Sequence, residues 1–213
     1  MENISRLKHF LEKLIVIFGD SFIVNVGSGY LGEMYKQWVS VETEIETTYD
    51  VSVENWAMIQ LINANIITTL NKNYIIGSSS EEIKQILRNK KVAIINPVSF
   101  SKELAGLKLN TSDLKAAHLC YKFNCTELLI FTDVDGIYSE DPNASSTAQK
   151  ISMITSDQLS KMGKTSVDAG IAELITKYHM KCRVCGVEEF LSASVTNLEE
   201  FLKCGTVISE GGI

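Results

Sequence analysis

Short β-branched runs alternate with longer amphipathic stretches along almost the whole chain. This alternation limits the fold more than any other feature. Phe22 to Val26, Tyr74 to Ile76, Val92 to Ile95, Leu128 to Phe131, Cys182 to Cys185 and Thr206 to Ile208 read as strands. Between them lie helical periodicities. Ile4, Leu7, Leu11, Leu14 and Phe18 are spaced 3, 4, 3 and 4, one face of a helix that Gly19 can end. Leu14 to Phe18 is β-prone by itself, but the spacing reaching back to Ile4 favours helix. Further helices are expected over 30–38, 53–70, 80–89, 112–123, 155–161, 166–179 and 198–203. Segments 40–50 and 140–149 read as loops, the first a flap flanked by Trp38 and Trp56. Strands separated by helices predict an α/β fold: a three-layer α/β/α sandwich with a mostly parallel central sheet. Its loops at the carboxyl ends of the strands are where ligands bind in such sheets.

The chain has 213 residues, enough for one domain with a sizeable core. Its halves, 1–109 and 110–213, carry different motifs. Twenty-six acidic against 20 basic residues give a net charge of -6, with no basic block. That surface argues against a nucleic-acid binder. No apolar run reaches the ~18 residues of a membrane span, and no signal-peptide pattern opens the sequence. The five cysteines are an odd number without a secretory signal, which fits a reducing cytoplasm. Cys182 and Cys185 match Cys-x-x-Cys, but three residues apart on a strand they face opposite ways. No zinc site is expected without a second pair.

Three segments carry candidate chemistry. Gly27-Ser28-Gly29 follows a strand and precedes a helix, where glycines let backbone approach an anion. Gly27, Gly29 and Gly32 satisfy a dinucleotide fingerprint. That fingerprint also needs an acidic residue ending the next strand, and no strand precedes Glu46 or Asp50. The second segment is the most specific: Thr132-Asp133-Val134-Asp135-Gly136-Ile137-Tyr138, then Asp141-Pro142. A buried strand delivers Thr132 and two carboxylates to its carboxyl edge. Such groups orient lysines, hold Mg²⁺ through water or accept hydrogen bonds from ribose and base. The further acidic positions of a calcium loop are absent. The third segment, Asn110-Thr111-Ser112-Asp113, sits at a helix start that favours an anion, although capping by Thr111 or Ser112 alone accounts for it.

Taken together, the Thr132 to Pro142 run and the Thr111-Ser112-Asp113 helix start resemble the amino-acid kinase superfamily, which includes uridylate, acetylglutamate and aspartate kinases. The resemblance spans about residues 22 to 208. Gly27-Ser28-Gly29 resembles the family's acceptor-facing glycine loop, Gly163 to Asp168 a segment near the nucleotide, and Gly205-Thr206 the closing strand. The resemblance implies an ATP- and Mg²⁺-dependent phosphotransferase. Its acceptor would be a small phosphate- or carboxylate-bearing molecule. Gly27, Ser28, Gly29, Thr111 and Ser112 would face that acceptor. Thr132, Asp133, Asp135, Gly136, Tyr138, Asp141, Pro142 and Ser166 would line the nucleotide site. Asp113 and Asp133 would organise cations, with Lys164 near the phosphates. Two departures stand out. No Lys-x-Gly-Gly precedes Gly27, so the chain is expected to open at the helix after the family's first phosphate loop. The family's lysine on the later helix is also absent: 169–175 holds Glu173 and no lysine. One such donor accounts for about 3–4 kcal/mol of barrier. The alternative is therefore a catalytically impaired member that binds a nucleotide or anion, or a structural partner subunit. A homo-oligomer paired through the helix from Val53 to Leu70, apolar on more than one side, is also expected by resemblance.

Overall fold

A computed structural model describes residues 2–29, 31–32, 34–35, 49–104, 106–107, 109, 111–163, 165–168 and 170–211. The 40–48 part of the flap, Trp38, Asn110 and Lys164 lie outside them. The backbone divides into two compact units, Met1–His9 with Phe18–Ser112, and Phe10–Ile17 with Asp113–Ile213.

The first unit is built on a three-stranded parallel sheet in the order β1-β3-β2. Its strands are β1 (Ile23–Val24), β2 (Tyr74–Gly77) and β3 (Val92–Ile95). All four residues of β3 are buried, as a central strand with both faces covered requires. Helix α1 (Glu2–Phe18) forms as the spacing predicts, and Gly19 ends it at φ +70°. Helix α2 (Tyr49–Leu70) packs on β2 and on α4 (Pro97–Glu103). It buries Ala57, Gln60, Ala64 and Ile67 and leaves Met58, Ile62 and Ile66 exposed. The expectation of apolar residues on more than one side is therefore met. Helix α3 (Ser80–Arg88) starts where Ser79 accepts a hydrogen bond from the Glu82 amide at 3.2 Å.

Strand β1 is shorter than the Phe22 to Val26 run. Its ladder weakens at Phe22, whose carbonyl accepts from the Ala93 amide only at 3.4 Å. Beyond Val24, the Asn25 side chain turns to donate to the Ser112 carbonyl at 3.1 Å.

The second unit holds a four-stranded sheet in the order β4-β8-β9-β7. Strands β4 (Leu128–Thr132) and β8 (Cys182–Gly186) pair in parallel, as do β7 (Met153–Thr155) and β9 (Thr206–Ser209). Only the β8–β9 ladder of this sheet is antiparallel. A small ribbon, β5 (Ile137–Tyr138) with β6 (Lys150–Ile151), stands apart from it. Helices α5 (Ser112–Lys122), α6 (Ser156–Ser160), α7 (Ile171–Tyr178), α8 (Val187–Leu191) and α9 (Leu198–Phe201) complete the described elements. The core gathers Ile137, Ile171, Ile175, Val184, Phe190, Phe201 and Ile208, all nearly inaccessible to water. Phe10 packs edge-on against Phe131 and Phe190 at 4.8 and 5.2 Å, which fixes the last turn of β4 just before the acidic loop. Four of the six ladders are parallel, so the chain is an α/β protein with mostly parallel sheets. No helix among the described residues is long and apolar enough to cross a membrane.

Candidate functional site

The glycine loop lies at the carboxyl end of β1. Asn63 of α2 donates to the Gly27 carbonyl at 2.9 Å and the Ser28 carbonyl at 3.1 Å, pinning the loop from below. A Cβ at Gly27 would stand 3.8 Å from the Ser112 hydroxyl, so the loop runs past the start of α5 with room between. Ser28, Gly29 and Thr111 belong to the same surroundings, half-buried apart from the exposed Gly29. Asn63 thereby holds two successive carbonyls of the glycine loop. Asn63 was legible only as a polar residue on an apolar helix face. Asn25 was read only as part of the Phe22 to Val26 strand.

In the second unit, β4 carries Thr132 and Asp133 to its carboxyl end. Asp133 is exposed, and the hydroxyl of Thr132 donates to it at 2.9 Å. Asp135 is engaged differently. The Tyr138 hydroxyl donates to it, and the Lys150 ammonium lies at 3.4 Å. Burial pushes its pKa up, but these two donors outweigh burial and hold the carboxyl below its ordinary range. Lys150 also pairs with Glu189 at 2.7 Å, and the other Glu189 oxygen accepts from the Gly205 amide at 2.9 Å. Asp135 and Tyr138 thus tie the acidic loop to β6, α8 and the turn before β9. Both serve first to shape the loop.

The loop's path leaves no space for side chains at its closest approaches. A Cβ at Gly136 would meet the Thr206 hydroxyl at 2.7 Å, and one at Gly186 would meet the Asp135 backbone at 2.7 Å. Thr206 is fully buried; its hydroxyl accepts from the Ile137 amide at 2.8 Å and donates to the Ile151 carbonyl. Ser166 donates to the Gly136 carbonyl at 3.0 Å, which places it against the loop. Asp141 turns its carboxylate to the Asn143 amide at 2.9 Å, and its carbonyl accepts from Ala144 and Ser145. With Pro142 it makes an exposed turn at the rim.

Asp113, in the first turn of α5, faces Asp168. Burial first, and then the neighbouring Asp168 charge and hydrogen bond, raise the Asp113 pKa to about 6. Two neighbouring carboxyl groups, one of them held above its ordinary range, form a site short of positive charge. Oxygen donors of this kind suit a hard cation such as Mg²⁺ or an ammonium group. Asp168 was read only as the end of the Gly163 to Asp168 segment. Its pairing with Asp113 spans 55 positions and leaves no local signal.

By fold, the chain is a mostly parallel α/β protein with its glycine and acidic loops at strand ends. The amino acid kinase family model matches residues 59–186, and the chain belongs to that family. Among its relatives is the uridylate kinase of Methanococcus vannielii, 24% identical over 178 residues, 82% of this chain and 73% of that one. The aspartokinase of Helicobacter pylori is 32% identical over 129 residues, 59% of this chain but only 28% of the relative. The crystal structure of uridylate kinase from Archaeoglobus fulgidus superposes with a TM-score of 0.73 at 20% identity, covering 96% of this chain and 92% of that one. That likeness is one of fold.

Proposed function

We propose that the protein is an ATP- and Mg²⁺-dependent phosphotransferase whose acceptor carries a phosphate or carboxylate. The observation that carries this reading is the division of labour in the β4 loop. Asp135 is neutralised by Tyr138 and Lys150, while the adjacent Asp133 stays exposed with only Thr132 bonded to it among the described residues. An unneutralised carboxylate at the carboxyl end of a buried strand is placed for a ligand rather than for the fold. Uridylate kinases among the relatives make a nucleoside monophosphate the first acceptor to test, and an aspartokinase makes an amino-acid carboxylate the second.

In this reading Gly27, Ser28 and Gly29, with Thr111 and Ser112 at the start of α5, receive the anionic end of the acceptor. Thr132, Asp133, Gly136 and Ser166 line the nucleotide side, and Asp113 organises positive charge at the phosphates. Lys164 is assigned there by resemblance. When bound, Mg²⁺ supplies neutralisation of phosphate oxygens, which with positioning is most of what phosphoryl transfer needs. A coupled assay with ATP, Mg²⁺, nucleoside monophosphates and aspartate should show turnover with one acceptor class. Asp133→Asn should lower kcat/KM roughly 100-fold without altering the melting temperature, because the side chain is exposed. A folded protein that turns over none of these acceptors overturns the proposal.

A second reading, a family member that binds nucleotide without transferring phosphate, is favoured by one observation: residues 169–175 hold Glu173 and no lysine to stabilise the transferring phosphoryl group. Calorimetry with ATP and Mg²⁺ separates the two, since binding without turnover supports the second.

Self-association is proposed on α2. The outward stripe of Met58, Ile62 and Ile66 is 38–52% exposed, whereas Ile59 is only half-exposed and is the weaker site for a test. Ile62→Glu is expected to yield a later-eluting species in size-exclusion chromatography. An unchanged elution volume would rule out this face.

A further inference from the structure

The carboxyl end of α5 carries a feature the proposed reaction does not use. The Cys125 amide donates to the Cys120 carbonyl at 2.9 Å, and the Asn124 amide to the Tyr121 carbonyl at 3.1 Å. Asn124 has φ +52°. Nested bonds of this kind around a left-handed residue form a Schellman motif. Its geometry brings the side chain of the residue three from the helix end against the second residue past it. In most helices that contact is apolar. Here both positions are cysteine, Cys120 and Cys125. Cys120 is buried and Cys125 exposed, so one thiol of the pair meets solvent while the other waits behind it. Neither is part of the β4 loop, and no group of three or more metal-ligating side chains occurs among the described residues.

We propose that Cys120 and Cys125 form an oxidisable dithiol that low-molecular-weight disulfides convert to an intramolecular disulfide. The exposed Cys125 thiolate attacks one sulfur of the small disulfide. That S–S bond breaks, and one small thiolate leaves with the electron pair. Cys120 then loses its proton to solvent and attacks the Cys125 sulfur, expelling the second small thiolate. The protein pair is oxidised by two electrons and the small disulfide is reduced to two thiols.

The hydrogen bond from Cys120 lowers the Cys125 pKa to about 7, against the opposing effect of burial. Cys120 is shifted upward by the same bond, with burial adding to it, which suits a resolving thiol that stays protonated until the first step is complete. At pH 7 about half of Cys125 is then thiolate, against a few per cent for an ordinary cysteine. A less basic thiolate is also a weaker nucleophile, by roughly fivefold for such a shift. The net expectation is a reaction roughly three times faster than an ordinary thiol at pH 7 and several times slower above pH 9.

The whole protein is incubated with glutathione disulfide at pH 7 and read by peptide mass spectrometry. A Cys120–Cys125 cross-link is expected as the main product. Cys120→Ser should stop at a mixed disulfide on Cys125 and move the alkylation midpoint of Cys125 upward. Cys125→Ser should leave Cys120 unmodified in the folded protein. Three results would each overturn the proposal: a stable mixed disulfide on Cys125 with Cys120 intact, an unshifted alkylation midpoint in Cys120→Ser, or a dominant cross-link that includes Cys182 or Cys185.

Discussion

Replacing Gly205 by alanine is expected to destabilise the second unit by about 2–5 kcal/mol, a large effect for a single methyl group. Two costs add. Gly205 has φ +68°, where an L side chain loses about 1–2 kcal/mol. Its Cβ would also stand 2.0 Å from the Val184 carbonyl oxygen, which is backbone and cannot swing away as a flexible side chain would. Retreat is blocked on both sides. Val184 is fully buried in β8, which is laddered to β4 on one edge and β9 on the other. The turn itself is fastened, because buried Arg183 donates to the Leu202 and Cys204 carbonyls at 3.1 and 2.9 Å, and Glu189 holds the Gly205 amide. Overpacking with no room to relax costs about 1–3 kcal/mol more. Gly19→Ala is the control: φ is +70°, yet nothing lies within 4 Å of the added methyl. Its cost should be the backbone term alone. In thermal melts Gly205→Ala should fall by roughly 10 °C or more, and Gly19→Ala by a few degrees. Equal shifts for the two would show that close approach to Val184 is not what selects glycine there.

The same comparison shows what the chain's order of residues does and does not disclose. Strands β3 and β4 were legible because each opens as a continuous apolar run stopped by Asn or by Thr-Asp, and β8 because its short Cys182 to Cys185 run is stopped by Gly186. Helix α1 was legible over its length, because its spacing repeats from Ile4 to Phe18 and Gly19 ends it. Strands β5, β6 and β7 were not, for they are two or three residues long. The buried hydroxyl of Thr206 in β9 bonds both strands of the β5–β6 ribbon, and no local pattern can announce a contact 55 or 69 positions away.

The site divides in the same way. Thr132, Asp133 and Gly136 could be picked out as candidates because a strand end followed by two carboxylates and a glycine is a local pattern. The Lys150 and Glu189 that neutralise Asp135 come from other elements, so nothing in the motif separates the engaged aspartate from the exposed one. Asn63 shows the intermediate case. A polar residue on an apolar helix face is visible in the sequence, but its partners on the glycine loop are not.

Asp113→Asn should make the protein more stable and less active at the same pH. The carboxyl of Asp113 titrates at about 6 when folded, above its ordinary value of 3.8, because of burial first and Asp168 next. A raised carboxyl pKa means that the folded state favours the protonated form. Its favourable contribution is complete below about pH 4 and is lost as pH rises through 6. Two pKa units correspond to nearly 3 kcal/mol. The group is only half-buried, so solvent screening reduces the penalty to about 1–2 kcal/mol. Asparagine keeps the shape and donates a hydrogen bond to Asp168 without adding charge. At pH 8 the variant should gain about 1–2 kcal/mol, or roughly 2–6 °C in melting temperature, and at pH 4 it should match the wild type. Asp168→Asn should stabilise in the same pH window, since it removes the other half of the repulsion. Turnover is expected to fall 100-fold or more, because the amide cannot organise positive charge at the phosphates. If Asp113→Asn gains nothing at pH 8, the paired carboxyls are not the strained element described here. If it gains stability and keeps full activity, Asp113 is a structural residue and the proposed charge arrangement at the phosphates is wrong. A gain in stability combined with lost activity is the signature of a carboxylate held at an energetic cost for its chemistry.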